Sequence, residues 1–432
     1  MKTLIITLFL AFVSVLNIFA QDMKKQAPLD QCGTMQVLEL MKQQDPTLEE
    51  KLNKLEGNVQ EYLKHNQGSQ RDVITIPVVV HIVYKTTAQN IPDSQIHDQI
   101  RILNEDFSKT NPDAWKVPGW FAPLAANCQI NFVLANRDPK KKPTNGIIRQ
   151  STTKTSFTTN DDVKFKNKGG SNCWPTDKYL NIWICNIDDA SGITGYAVFP
   201  GSGYVLGDGI VVDYQAFGIS PNNYPNYNLG RTATHEVGHW LNLRHIWGDD
   251  GTECTGTDFV DDTPNQGGPN TGGYAVNSII ISCGNDPYGD MWMNYMNYTW
   301  HISRYIFTIG QAERMQSIFV TDPWRASLLT SNGYVSPNRP VSGNTESVFQ
   351  LNNYPNPFNP VTVIRYQIPF SSFVSLKVYD MSGKLVVTLI NKMQEAGGYD
   401  VTFDGKGLAS GTYFYSLETD QFSEIKKMVL VK

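Results

Sequence analysis

Charged residues are sparse in this chain. Lys, Arg, Asp and Glu make up 18% of its 432 residues, and 36 basic against 41 acidic side chains leave a net charge of −5. That balance offers neither a basic face for nucleic acid nor attraction to an anionic membrane. Apolar runs are short as well: after residue 20 none reaches the roughly 18 residues of a membrane span. Histidine and cysteine are rarer still, at seven and six. Where such scarce side chains gather, incidental placement is a poor explanation.

What is present begins with residues 1–20. Lys2 supplies a positive start, residues 4–19 are mostly apolar, and Ala20 precedes Gln21-Asp22. This reads as a secretory signal peptide, with an uncleaved anchor as the alternative. An exported chain lets thiols oxidise, and an even number invites pairing without fixing the connectivity. Aromatic residues reach 11%, with 20 Tyr and 20 Phe, which favours folded, β-rich domains over disorder. The length allows two or three domains with sizeable cores.

Residues 21–71 are rich in Lys, Gln and Glu. Leu48, Leu52 and Leu55 recur at helical spacing, and Asp45-Pro46 reads as an N-cap followed by proline at the first helical position. Residues 67–71 are polar, loose and end in Arg71, a stretch suited to proteolytic cleavage. Residues 74–84 are strongly β-like. The spacing of Ile96, Ile100, Leu103 and Phe107 predicts a helix starting near Asp93. Further strands are expected over 178–187, 193–199 and 205–214. Residues 336–344 form a Pro, Ser, Gly and Asn linker. Residues 347–432 then read as seven or so short strands separated by turns such as Met381-Ser382-Gly383-Lys384, the pattern of a small β-sandwich.

Three of the seven histidines fall within residues 235–245, as His235-Glu236-Val237-Gly238-His239-Trp240-Leu241-Asn242-Leu243-Arg244-His245. On a helix His235 and His239 project from one face, close enough for two nitrogens to reach one metal at about 2.0–2.1 Å. Glu236 can reach a metal-held water without itself binding the metal. His245 cannot join if the helix continues, because six further residues carry it roughly 9 Å along the axis and onto another face. The chain must stop and turn. Asn242 is the residue there that best tolerates left-handed backbone angles. By chance such a constellation arises in about one chain of this length in ten thousand, so incidental surface histidines are a weak alternative.

These eleven residues resemble the long zinc motif of the metzincin metalloproteases, H-E-x-x-H-x-x-G-x-x-H, with Asn242 at the glycine. Residues 291–299, M-W-M-N-Y-M-N-Y-T, resemble the Met-turn of the pappalysin (cytophagalysin) family. V-V-V-H-I-V-Y at 78–84, Y-L-N-I-W-I-C at 179–185 and the run from Gly195 to Pro200 look like further landmarks, so the resemblance covers about residues 74–325. It implies zinc held by His235, His239 and His245, with Glu236 as general base and Met296 beneath the metal. It implies Tyr298 beside the metal, where a phenol can donate a hydrogen bond to a developing oxyanion. Gly195, Tyr196, Ala197, Val198 and Phe199 would form the sheet edge along which an extended substrate adds through main-chain hydrogen bonds.

Cys32-Gly33-Thr34 resembles the cysteine-switch motif of pappalysin zymogens, which makes the Cys32 thiolate a zinc ligand in a latent form; a structural disulfide is the alternative. The Gly-rich loop carrying Asp249, Asp250, Asp258, Asp261 and Asp262 suits structural calcium, as in pappalysin-like enzymes, with a solvated acidic loop as the alternative. Cys254 and Cys283 bracket that loop and are expected to pair, closing roughly 30 residues.

The C-terminal part resembles the type A sorting domain of type IX secretion. Its marks are N-Y-P-N-P-F-N-P at 353–360, V-Y-D-M-S-G-K-L-V at 378–386, G-L-A-S-G-T-Y-F-Y at 407–415 and K-K-M-V-L-V-K at 426–432. The expected fold class is therefore α+β: a metzincin-type catalytic domain, with a mixed twisted sheet plus an active-site helix, followed by a small all-β sandwich. The expected organisation is a signal peptide at 1–20, a pro-segment at 21–71, a catalytic domain at 72–330, a linker at 331–346 and the sandwich at 347–432. The expected protein is a monomeric, secreted or surface-held zinc endopeptidase, exported through the periplasm. Its partners would be protein or peptide substrates and the secretion machinery, with no nucleic acid and no membrane span once the signal is removed. Rival readings are an inactive binding or adhesion protein on this scaffold and a zinc hydrolase of non-peptide amides.

Overall fold

The structure, a computed structural model, describes residues 31–66, 68, 72–188, 191–203, 206–335, 350–368, 372–394, 397–419 and 422–432. The expected signal peptide, Arg71 and the 336–344 linker lie outside the described residues. In chain order, β1 (Gln31–Cys32) leads into helices α1 (Thr34–Gln44) and α2 (Leu48–Asn66). Then come β2 (Ile74–Tyr84), α3 (Asp93–Ser108), β3 (Ile130–Leu134), β4 (Ile147–Ser151), β5 (Leu180–Cys185), β6 (Ile193–Ala197) and β7 (Ile210–Asp213). Helix α4 (Arg231–Trp240), β8 (Thr271–Gly272), β9 (Tyr298–Thr299), α5 (Ile309–Thr321) and α6 (Pro323–Ser327) complete this part. Seven strands follow: β10 (Gln350–Tyr354), β11 (Val361–Ile368), β12 (Ser372–Tyr379), β13 (Leu385–Gln394), β14 (Gly397–Asp404), β15 (Gly411–Thr419) and β16 (Phe422–Leu430).

The first sheet is organised on β2. Its β-branched residues suit a strand buried on both faces, and burial runs from Ile76 to Val83 without a break. The order is β1-β6-β7-β5-β2-β3, with β3 paired to the first half of β2 and β4 to its second half. All these pairings are parallel except β6 on β7, so the sheet is mixed. Helix α3 buries Ile96, Ile100, Leu103 and Phe107, the face that the spacing predicts, and these join Val78, Val80 and Ile82 of β2 in one core. Burying each such side chain contributes roughly 1.5–3 kcal/mol. Val237 and Trp240 of α4 and Met296 belong to the same core.

Polar ties fix where α4 sits. Asp106 of α3 accepts hydrogen bonds from Thr234 Oγ1 and Tyr295 Oη, both at 2.7 Å. Burial pushes the Asp106 carboxyl up to about 6, against the lowering effect of Arg231 and these two donors. Arg231, at the start of α4, donates through both Nη atoms to Asp113. A buried pair of this kind is strongly destabilised by removing one partner.

Several boundaries differ from the sequence expectation. Lys51 N donates to Thr47 O, so Thr47 rather than Asp45 stands at the head of α2, while Asp45 closes the preceding turn by accepting from Thr47 N. Among the described residues of the strand expected over 205–214 only Ile210–Asp213 form strand, and that expected over 193–199 ends at Ala197, with Val198 N still donating to Gly209 O. Residues 331–335 are packed rather than linker-like. Gly333 O accepts from the N–H groups of Asn136 and Arg137, and Val335 N donates to Asn136 Oδ1.

The last seven strands form two antiparallel sheets, β10-β11-β14 and β13-β12-β15-β16. Alternate residues point inward, as in β11 where Ile364, Tyr366 and Ile368 are buried. Both sheets contribute to a core of their own that includes Leu351, Leu376 and Leu417.

Candidate active site

Helix α4 begins after Gly230, which takes left-handed angles at φ 71°, and ends in a hydrogen-bonding pattern set by Asn242. Asn242 lies at φ 74°; its N–H donates to His239 O and the next N–H, of Leu243, donates to Gly238 O. This is the helix-ending motif in which a left-handed residue satisfies the last carbonyls. The turn that the three-histidine reading demands is thus present, with asparagine in the position that more often holds glycine.

The turn brings the rings together. His239 Nε2 stands 3.1 Å from both His235 Nε2 and His245 Nε2. Two nitrogens at about 2.0–2.1 Å from one tetrahedral ion are about 3.3 Å apart, so the separation fits a shared cation. Each Nδ1 has an acceptor of its own: Tyr295 O at 2.7 Å for His235, Leu243 O at 2.8 Å for His239 and Asp249 Oδ1 at 2.6 Å for His245. Those bonds select the tautomer whose Nε2 lone pair faces the centre. Burial, and then the neighbouring His245, hold His235 down to about 3 and His239 well below the usual imidazole range. Both rings are therefore in the neutral, ligating form at pH 7.

Cys32 completes the group: its Sγ and one nitrogen from each histidine all lie within 4.8 Å of one another. Burial, and then the Glu236 charge, push the Cys32 thiol well up. A divalent cation in the nest reverses that balance, because it binds the thiolate. The set of three imidazoles and one thiolate fits zinc chemistry.

Glu236 is fully buried beside this nest. It accepts from Thr34 Oγ1 at 2.9 Å and from Cys32 Sγ at 3.4 Å, while Thr34 Oγ1 accepts from Ala197 N at 2.8 Å. Burial raises the Glu236 carboxyl to about 8 even though both donors oppose the shift. Tyr298 Oη lies 3.2 Å from His245 Nε2, and burial pushes its phenol well up, which keeps the hydroxyl protonated. Met296 is fully buried, and a Cβ on Gly238 of α4 would meet its Sδ at 2.4 Å, so only glycine lets the turn pack that closely on the helix.

The edge formed by Gly195, Tyr196, Ala197, Val198 and Phe199 is occupied. Strand β1 pairs with β6 in parallel, Cys32 opposite Gly195, and Gly33 N donates to Gly195 O at 2.8 Å. Thr34 follows on Ala197, and Leu38, Leu48 and Leu52 pack with Phe199. The main-chain positions that an extended peptide needs are filled by the chain's own N-terminal segment.

Asp249 is turned to His245. Asp250 Oδ2 accepts from the N–H groups of Thr255 and Gly256, Asp258 from Val260 N and Thr263 Oγ1, and Asp262 from Gly310 N. Asp261 is exposed. Cys254 and Cys283 form a disulfide, and Cys32, Cys128, Cys173 and Cys185 are free thiols. Thr34 and the orienting role of Asp249 were missed from the sequence. Asp249 stands four residues after His245, a spacing that offered a signal, and Thr34 directly follows Cys32-Gly33.

A family model described as pregnancy-associated plasma protein-A, peptidase M43, matches residues 159–320, and one described as a secretion system C-terminal sorting domain matches residues 352–432. The chain belongs to that peptidase family, the pappalysins: it is a secreted metalloendopeptidase with a catalytic metal, made as a latent zymogen and carrying a type IX sorting domain. It is similar to an extracellular metalloprotease of Arthroderma benhamiae, 30% identical over 260 residues that cover 59% of this chain and 78% of the relative. Among solved structures it is similar to a mutant of Tannerella forsythia promirolysin, with 44% identity, a TM-score of 0.64 and coverage of 69% of this chain and 97% of that one. Mature mirolysin of the same organism in complex with a cleaved peptide gives 49% identity, a TM-score of 0.57 and coverage of 60% and 97%.

The second contact of His245 generates a prediction. Asp249→Asn leaves the three ring nitrogens in place but removes the carboxylate acceptor, so metal affinity falls about 10–100-fold. Competition against a chromogenic zinc chelator reads this directly. Wild-type affinity in Asp249→Asn rejects the orienting role.

Proposed function

We propose that the catalytic cation is zinc, held by His235, His239 and His245 in the active enzyme and also by Cys32 in the zymogen, and that its substrates are protein chains bound in extended form. The convergence of three ring nitrogens, each backed at Nδ1, beside a buried carboxylate carries this reading. When bound, zinc polarises the scissile carbonyl and brings the pKa of a water towards 7. Glu236 takes a proton from the attacking water and returns it to the leaving amine. Tyr298 donates its hydroxyl proton in a hydrogen bond to the developing oxyanion. Met296 shapes the floor beneath the histidines. The substrate takes the β6 edge as an added strand, in place of β1.

Latency has three parts in this reading. Cys32 fills the position that water needs, Thr34 holds the Glu236 carboxylate, and the same Thr34 oxygen takes the Ala197 N–H that a substrate would use. Cleavage near Arg71 releases the pro-segment from a catalytic unit that starts near residue 72 and, given the packing of residues 331–335, ends near 335. Calcium has a structural role in the acidic loop, through Asp250, Asp258, Asp261 and Asp262. Asp250 keeps one buried carboxylate oxygen without a hydrogen-bond partner, which supports a cation there.

The test uses the proprotein from residue 21 onward, with zinc and calcium, beside a Glu236→Ala twin. Only the wild type is expected to cut near Arg71, by intact mass, and then to degrade casein. If both proteins hold zinc yet stay inert after trypsin removes the pro-segment, the protease mechanism fails. Cys32→Ala is expected to degrade casein before any cut, and Thr34→Val to activate about tenfold sooner, the effect of losing one buried hydrogen bond. A zymogen of unchanged lag in both variants rejects the latency scheme. Omitting calcium should lower the zymogen's melting temperature while zinc is retained; an unchanged melting temperature rejects the structural calcium.

A further inference from the structure

Helix α2 carries a carboxylate into a built arginine site. Arg314 of α5, its side chain fully buried, donates through Nη1 to Glu56 Oε1 at 2.8 Å and through Nη2 to Glu56 Oε2 at 2.5 Å. Its Nε donates to Asn242 O at 2.8 Å, which ties it to the turn that positions the histidines. Its planar face lies 5.3 Å from the ring of Phe259, a bulky residue held at φ 61°. Left-handed angles are strained for such a side chain and persist only where the surroundings impose them. Arg314 is thus oriented by contacts that do not involve Glu56.

A second guanidinium stands near the first. Arg244 follows two residues after Asn242, whose carbonyl holds Arg314, and its Nε is buried with no hydrogen-bond partner among the described residues. Burial alone would raise the Glu56 carboxyl, yet the Arg314 hydrogen bonds and charge outweigh it and hold Glu56 below its ordinary value. Arg244 Cζ lies 4.2 Å from the Phe199 ring, and that ring stands 5.4 Å from the ring of His239. The arginine pair therefore borders the same edge that the pro-segment follows: Cys32 opposite Gly195, Thr34 on Ala197, Leu52 by Phe199, then Glu56 on Arg314.

When the pro-segment leaves, Glu56 leaves with it, and the buried Arg314 guanidinium loses its carboxylate partner. A buried charge deprived of its partner is unfavourable, and a bidentate fork matched to carboxylate geometry stays in place. We propose that in the mature enzyme Arg314 and Arg244 form a subsite for an acidic substrate side chain, with Glu56 serving as its internal mimic in the zymogen. This rests on the reading of residues 21–71 as a removable pro-segment. The acidic residue lies on the side of the scissile bond that runs past Phe199, over which Arg244 stands.

The experiment uses the mature wild-type enzyme, first shown to degrade casein, on paired peptides that differ only by Glu or Gln at each successive position. The proposal predicts a Glu-over-Gln ratio in kcat/KM of about tenfold at one position, shrinking at high salt. In Arg314→Gln, and in Arg244→Gln as a second variant that leaves the Asn242 contact intact, the ratio falls towards one. Because the ratio is taken within each enzyme, a general loss of activity cancels. An enzyme that degrades casein and cleaves every peptide with no Glu preference overturns the subsite alone. A mature protein that fails the casein step overturns the protease reading, and the subsite with it.

Discussion

The orientation of three imidazole rings is the constraint on which the active-site region depends. Each ring commits Nδ1 to a fixed acceptor, and each acceptor belongs to a different structural feature: the Met-turn for His235, the end of α4 for His239 and the acidic loop for His245. Loss of any one acceptor frees a ring and opens the nest. This explains why so much of the surrounding structure is polar and buried. Asp106 ties α3 to both α4 and the Met-turn, and Arg231 ties α4 to Asp113. It also explains why Gly238 has no side chain, since Met296 fills that space.

The same geometry makes the nest easy to block from one side. The β6 edge that β1 covers runs beside Glu236, and a Cβ on Gly195 would meet Glu236 Cγ at 2.9 Å. A segment paired to that edge must therefore pass the Glu236 carboxyl and the histidines. The pro-segment does this with few residues: Cys32 reaches the metal position, Thr34 reaches both Glu236 and the edge, and α1 and α2 cover Phe199. In the proposed scheme inhibition and substrate binding draw on one set of main-chain donors and acceptors, so that removal of the segment and exposure of the site are one event. The Glu56–Arg314 pair extends the occupied track beyond the edge strand itself.

Much of this was legible in the sequence because it depended on local spacing. The 3.6-residue period placed His235 and His239 on one face, Asn242 marked the turn, and the apolar spacing of α3 gave its buried face. The seven C-terminal strands were legible from their alternation and turns. What escaped depended on partners far apart in the chain. Thr34 and Glu236 are separated by 202 positions and Glu56 and Arg314 by 258, and no local pattern announces such pairs. Asp249 was read as one of several acidic loop residues, because only the folded turn shows that it faces His245 rather than its acidic neighbours. Likewise the packing of residues 331–335 against Asn136 and Arg137 is invisible in a stretch whose composition resembles a linker.

In the proposed zymogen one thiolate from the pro-segment shares the metal with three imidazoles until the segment is released. X-ray absorption at the zinc edge, on the zinc-loaded zymogen and on the mature enzyme, tests it most directly. One sulfur at about 2.3 Å and three nitrogens at about 2.0 Å are expected in the zymogen, with the sulfur replaced by a light oxygen scatterer after release. A zymogen spectrum without sulfur, or a sulfur shell that persists in the mature enzyme, would contradict it.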